Sequence, residues 1–445
     1  MKNYLSELRN ELPTNCLFDK GKVGCGGTTL AIESDKPYVI AVPFTSLVDN
    51  KVAQYPNDRY SGELFGVQQG VNISAIKDYV ANTDTPKIIT TYDSLPKVIS
   101  AINAKDYYLL IDEYHILFTQ YSFRSEAIKY VLNHYKDFKE YCFMTATPIE
   151  DEFILDELKD IPVVRQNWES VVNAKIMTVQ CDSVLASTMM LIKDFLSGKQ
   201  AGNAYFFLNS TKTIKNIIDK LNLTEDNTRV IYSKYSKIKM AVPNGSTLDE
   251  PKKINFLTST AFEGSDIYDE EGRIFIVSDN NAEHSLLDIS TAVQQIAGRI
   301  RNSKYMGEIL HLYNTSRYFK LSYEDFKASQ EVEAKRCKKF ANIFNAQDED
   351  YRELGTAEGS ALYLVKNEDN FIEFDSNLVK VDTFNYKVAT DYTVRINLED
   401  VYKDNNFEVE GVCADYTKLT DLKLAKTTTT FKEAVELVES AFVKD

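Results

Sequence analysis

The chain has 445 residues, too many for one ordinary core and enough for two or three domains of about 100 to 200 residues each. Its 44% hydrophobic and 26% charged composition suits a soluble globular protein, and no stretch approaches the roughly 18 apolar residues of a membrane span, so a cytoplasmic protein is expected. A net charge of −15 excludes a protein that merely coats nucleic acid, because phosphate neutralisation needs clustered Lys and Arg; it still admits a motor with a local binding groove.

In chain order, a short apolar NCLF is followed by the glycine-rich KGKVGCGGTT of residues 20–29 and the helix-like TTLAIE. Apolar, β-rich runs then recur at YVIAVP (38–43), KIITT (87–91), YYLLID (107–112) and YCFMTATP (141–148), with helix-length spacers between them. A break near residues 160–170 precedes a second series: NAYFFLN, TRVIYS, KINFLTST, RIFIVSD and EILHLYN. Two such series imply two α/β domains with parallel sheets. From about Ser316 the pattern changes to a charged helical stretch and alternating segments, which reads as an α+β region. Six cysteines lack any C-x-x-C pair and there are only four histidines, so neither a disulfide framework nor a structural zinc site is indicated.

Set against the phosphate-loop pattern G-x-x-x-x-G-K-[ST], Gly21 and Gly26 match, Thr28 takes the hydroxyl position, and Gly27 stands where the lysine belongs. Gly21, Gly24, Gly26 and Gly27, with Thr28 and Thr29, would wrap a nucleotide phosphate in backbone N–H groups, and Thr28 would ligate Mg²⁺. The missing charge would have to come from Lys20 or Lys22. Taken alone, a glycine-rich turn of this kind more often binds nothing. The run YYLLIDEYH supports it by delivering Asp112, a metal ligand, and Glu113, an orienter of the attacking water, at the end of an apolar strand. An acidic pair after a strand is, by itself, as often a solvated turn.

In these residues the chain resembles the DExH branch of superfamily 2 helicases, with narrower likeness to viral and plasmid replication helicases, including the herpesvirus origin-binding type. The motifs fall in the family's order over residues 20–302: the loop as motif I, VPFTSLVDNK as Ia, TTYDSL as Ib, DEYH as II, TAT as III, AYFFLNST as IV, TSTAFEGSD with Gly264 and Asp266 as V, and QQIAGRIRN as VI. The resemblance implies two RecA-like P-loop NTPase domains, spanning residues 1–163 and 164–318, with a C-terminal α+β accessory region at 319–445. It implies ATP and Mg²⁺ as cofactors and Gln295 as a nucleotide contact. Arg299 and Arg301 would reach the γ-phosphate from the second domain as arginine fingers, although Asn302 occupies the position of the family's last arginine. It also implies that Thr45, Ser46, Thr91, Ser210, Thr211 and Thr258 grip nucleic-acid phosphates, single-stranded or forked DNA first; singly, each would more often be a helix cap.

The expected function is an ATP-dependent helicase or translocase in phage or mobile-element replication, working in a bacterial host's cytoplasm with a possible replication-protein partner. The alternatives are a hydrolysis-impaired nucleotide- and DNA-binding scaffold of the same fold, and a translocase that pumps duplex without separating it.

Overall fold

The structure is a computed structural model that describes residues 4–55, 64–168, 174–233, 236–262, 266–315, 321–354, 363–367 and 369–413. The first half builds one seven-stranded parallel sheet from β1 (Cys16–Asp19), β2 (Tyr38–Val42), β3 (Leu64–Val67), β4 (Lys87–Thr91), β5 (Tyr108–Asp112), β6 (Glu140–Thr145) and β7 (Val163–Arg165). Their order across the sheet is β3-β4-β2-β5-β6-β1-β7. Every residue of β2, β4 and β5 is buried. Strands covered by helices on both faces read as unbroken apolar runs, and such strands pair in parallel.

The second sheet has β8 (Lys175–Gln180), β9 (Asn203–Phe207), β10 (Thr228–Ile231), β11 (Ile254–Leu257), β13 (Gly272–Ser278), β15 (Glu308–Tyr313) and β18 (Glu408–Cys413), ordered β10-β11-β9-β13-β15-β8-β18. Two short strands, β12 (Ile267–Tyr268) and β14 (Ile300–Arg301), pair outside it, and β16 (Leu364–Lys366) pairs antiparallel with β17 (Ile372–Phe374). The fold is thus two RecA-like α/β domains, each a parallel sheet flanked by helices.

The C-terminal region packs on both domains. Strand β18 adds in parallel register to β8 at the edge of the second sheet. Helix Ser376–Asp391 packs on the first domain, where Phe384 lies 5.3 Å from the Phe118 ring and 5.2 Å from the Phe153 ring. The buried Tyr402 shares a 2.8 Å hydrogen bond with His311 of β15, whose imidazole pKa burial pushes down to about 3, so this His is a neutral core partner.

In the first sheet the chain leaves β1 and returns three positions away at β2, on the far side of β6 and β5. Open parallel sheets bind ligands at the carboxyl ends of strands beside such a switch. The glycine-rich loop and the acidic pair both lie there.

Candidate nucleotide site

Strand β1 ends on Asp19, and the loop begins with Lys20, whose backbone N–H donates to the Thr145 carbonyl of β6 at 2.8 Å. The loop turns through left-handed glycines, among them Gly26 (φ 83°), after which α1 (Gly27–Ile32) begins. Lys20 is buried; its Nζ stands 3.0 Å from Glu113 Oε1 and 3.7 Å from Asp112 Oδ1. Thr28 Oγ1 donates to Asp112 Oδ2 at 2.6 Å. Loop and acidic pair therefore form one constellation.

Lys20, not Lys22, carries charge into it. The Lys22 ammonium lies over the Trp168 ring, 5.5 Å from its centroid, while the Trp168 indole donates to the Lys20 carbonyl at 2.7 Å. Burial alone would discharge Lys20, but Glu113 and Asp112 outweigh it and raise its pKa. Burial would likewise protonate Glu113, yet Lys20 overrides it, with help from His115 and Arg299, and holds the carboxyl down at about 2. Asp112 moves upward, through burial and only partly against Lys20. Glu113 is thus the firm anion of the pair, and it adopts φ 54°, a left-handed conformation that non-glycine residues hold only under constraint.

Gly27 is glycine for a local reason. A Cβ there would stand 2.5 Å from the Met144 Sδ and 2.8 Å from its Cε, and Met144 is fully buried in β6. The space for a side chain at the usual lysine position is already filled from another strand. Gly27→Lys is expected to overpack this contact, to cost about 1–3 kcal/mol of stability and to leave nucleotide affinity no better than wild type. Thermal denaturation and nucleotide titration of the variant check both.

The second domain closes the site from across the cleft. A π-helical turn at Ile289–Val293 leads into helix Gln294–Ala297. The buried Gln295 donates from Nε2 to Glu113 Oε2 at 3.0 Å and to Thr147 Oγ1 at 3.1 Å. Arg299, also buried, donates to the Gln295 carbonyl and side-chain oxygen at 2.8 and 2.9 Å. Pairing of β12 with β14 sets Arg301 beside Asp266, 3.0 Å between Nε and Oδ1, and a Cβ on Gly24 would overlap the Arg301 guanidinium. Arg301 therefore lies against the loop, whereas Asn302 is exposed. His115 Nδ1 sits 2.8 Å from Thr145 Oγ1, which in turn donates to Glu113 Oε2 at 3.1 Å.

The donors fit Mg²⁺. The Thr28 hydroxyl and the Asp112 carboxylate stand side by side and would offer oxygen ligands, and among the described residues no cluster of three or more His, Cys, Asp or Glu could cage a metal alone. Such a sparse oxygen set suits an ion that keeps its waters and takes further ligands from substrate phosphates.

The hydroxyl residues expected to grip nucleic acid divide. In the second domain Ser210, Thr211 and Thr258 line one open groove of about 320 Å³ with Lys212, Thr260 and His284. Ser210 also caps helix Thr211–Leu221, accepting from the Thr213 N–H at 3.3 Å, so capping and lining coexist there. In the first domain Thr45 and Ser46 open α2 (Thr45–Gln54), and Ser46 Oγ is buried without a hydrogen-bond partner among the described residues. Thr91 is buried at the end of β4. Gly264 lies outside the described residues. Sequence reasoning missed Trp168, Lys51 and Tyr55, whose hydroxyl donates to the loop residue Thr29 at 3.0 Å; no spacing rule marks them.

No family model matches the chain, and no curated protein matches its sequence. Solved structures similar to it include S. cerevisiae Dbp5 bound to RNA and ADP BeF3, at 11% identity and TM-score 0.47 over 68% of this chain and 80% of that one. A hypothetical ATP-dependent RNA helicase from Sulfolobus tokodaii is similar at 16% identity and TM-score 0.27, over 67% of this chain and 87% of that one. The yeast DEAD-box splicing factor Prp28 is similar at 13% identity and TM-score 0.28, over 72% and 76%. Likenesses this distant carry no argument about activity, which rests on the site itself.

Proposed function

We propose that the protein is an ATP-dependent nucleic-acid motor of the superfamily 2 kind, hydrolysing ATP between its two domains. The observation that carries this reading is the chain of contacts from Lys20 through Glu113 to Gln295 and Arg299, which links the phosphate loop of one domain to the arginine helix of the other. ATP would lie between them with its terminal phosphates against the loop. Thr28 and Asp112 would hold Mg²⁺, which neutralises phosphate charge. Glu113, kept anionic at neutral pH, would orient the attacking water. Arg299 and Arg301 would meet the charge that develops on the γ-phosphate. Because the same side chains close the cleft, nucleotide occupancy and domain spacing are linked, and alternating them would step the protein along a strand lying over Ser210, Thr258 and the start of α2.

The substrate proposed first is single-stranded or forked DNA, in the replication of a phage or mobile element. The runner-up is a scaffold that binds nucleotide and DNA without efficient hydrolysis. Groups that serve hydrolysis more than binding, Glu113 and Arg299 above all, are held in place here, and this favours the motor.

Steady-state ATPase assays of the full chain with no nucleic acid, with single-stranded DNA and with single-stranded RNA test it. Stimulation by DNA that fades as salt rises is expected. Binding of ATP without turnover under any condition would select the scaffold; stimulation by RNA alone would replace the substrate.

A further inference from the structure

Lys51, on the last turn of α2, is a cation beside the site that has no ion pair among the described residues. Lys20 stands between Asp112 and Glu113, and Arg301 is paired with Asp266. Arg299 is bound to Gln295 near Glu113. Among the described residues, Lys20, Arg299 and Arg301 thus stand beside Asp112, Glu113 and Asp266, and Lys51 is a further cation that interacts with this group. Among the described residues its ammonium has one hydrogen-bond acceptor, the neutral Gln54 Oε1 at 3.0 Å, and forms no ion pair.

Its position is fixed independently of its charge. Lys51 and Tyr55 are four residues apart, so they share one side of the helix end. The Tyr55 N–H donates to the Lys51 carbonyl at 3.1 Å, and the Tyr55 hydroxyl donates to Thr29 Oγ1 at 3.0 Å. This bond pins the end of α2 to the phosphate loop one residue beyond Thr28. Lys51 is half-buried there; burial pushes its pKa down, opposed by Asp266 and Asp112 and reinforced by Lys20 and Arg301. Charges from the loop start, from β5 and from the second domain all reach it. A half-buried cation without an ion pair among the described residues is what a polyanion entering the cleft would pair with.

We propose that Lys51 binds the terminal phosphate of a nucleoside triphosphate and so makes the site prefer the triphosphate over the diphosphate. The inference rests on the ATP-driven reading above and adds a second lysine to it. Lys20, bound to both acids, supplies the loop's standing charge, whereas Lys51 answers the charge that distinguishes ATP from ADP. Its place on the helix that begins at Thr45 and Ser46 also joins phosphate sensing to the element expected to touch nucleic acid.

The test is equilibrium binding of ADP and of a non-hydrolysable ATP analogue, each with Mg²⁺, to the full-length wild type and to Lys51→Met and Lys51→Arg. Loss of one charge-assisted hydrogen bond should weaken binding of the ATP analogue about tenfold or more in Lys51→Met, with ADP affinity changed by less than about twofold and Lys51→Arg recovering most of the loss. Equal weakening toward both nucleotides, or none, would overturn the assignment of Lys51. Melting curves show whether Lys51→Met stays folded; if it does not, the ADP-to-analogue preference of Lys51→Arg and Lys51→Gln decides, an unchanged ratio in both overturning the assignment. If wild type binds neither nucleotide, the ATP reading itself fails and Lys51 with it; if wild type discriminates and Lys51→Met discriminates equally well, only the role of Lys51 fails.

Discussion

Glu113→Gln is expected to abolish ATP turnover, by about a hundredfold or more, while nucleotide binding survives. The carboxylate is held at its left-handed position by Lys20 on one oxygen and by Gln295 and Thr145 on the other. A carboxamide of the same shape can still accept from Lys20 or Gln295, and Asp112 remains 3.7 Å from the Lys20 ammonium, so loop and cation stay in place. What disappears is the anion that would orient the attacking water. A pH profile separates this loss from a folding defect. The wild-type Glu113 carboxyl, at about 2 against an ordinary 4.5, stays ionised at any pH above that range, so its contribution to stability is complete above about 4.5 and is lost only as pH falls toward 2. Activity of the wild type should accordingly not be limited by Glu113 between pH 5 and pH 8. Single-turnover hydrolysis, compared with analogue binding, checks the variant. A rate equal to wild type would remove Glu113 from the reaction and with it the proposed mechanism.

How far the sequence led depends on whether each relation is local. The apolar runs around 38–43, 87–91, 107–112 and 203–209 mark strands because a strand buried on both faces needs an unbroken apolar stretch, and all four are strands of the two sheets. The acids at the end of β5 and the glycines after β1 were legible because strand-end loops carry ligands in such sheets. The choice between Lys20 and Lys22 was not, since it depends on Trp168, roughly 150 residues away, taking Lys22 against its ring. Nor was the reason for Gly27, which lies in Met144 on a strand that the chain reaches only after four others. Strand β18 illustrates the same limit: Glu408–Cys413 has an ordinary alternating pattern, and nothing within it announces a partner more than two hundred residues earlier in β8. Lys51 looks like any polar residue near a helix end until Tyr55 fixes that end to Thr29.

Lys20→Met should be the more damaging change to the protein as a whole. It removes the cation that the phosphate loop cannot place at Gly27, and nucleotide affinity is expected to fall about ten- to a hundredfold. Lys22→Ala, whose side chain lies over Trp168, should change affinity little by comparison. Lys20→Met also strands two buried carboxylates, a loss of the kind that costs about 3–5 kcal/mol when one partner of a buried pair is removed. The sign of its pH dependence follows. Without Lys20, the largest lowering influence on both acids, burial and repulsion act against only the weaker effects of His115 and Arg299 on Glu113 and of Thr28 and Lys51 on Asp112, and the folded-state pKa values rise. Groups raised in this way favour folding while protonated and oppose it as pH climbs through their folded values. The gap in melting temperature between wild type and Lys20→Met should therefore widen from pH 5 to pH 8, where the wild-type pair is already charged and compensated. Thermal denaturation at the two pH values reads this directly. A constant gap would mean that Lys20 contributes packing rather than charge, and the loop would then have to bind phosphate through its backbone and through cations brought from across the cleft.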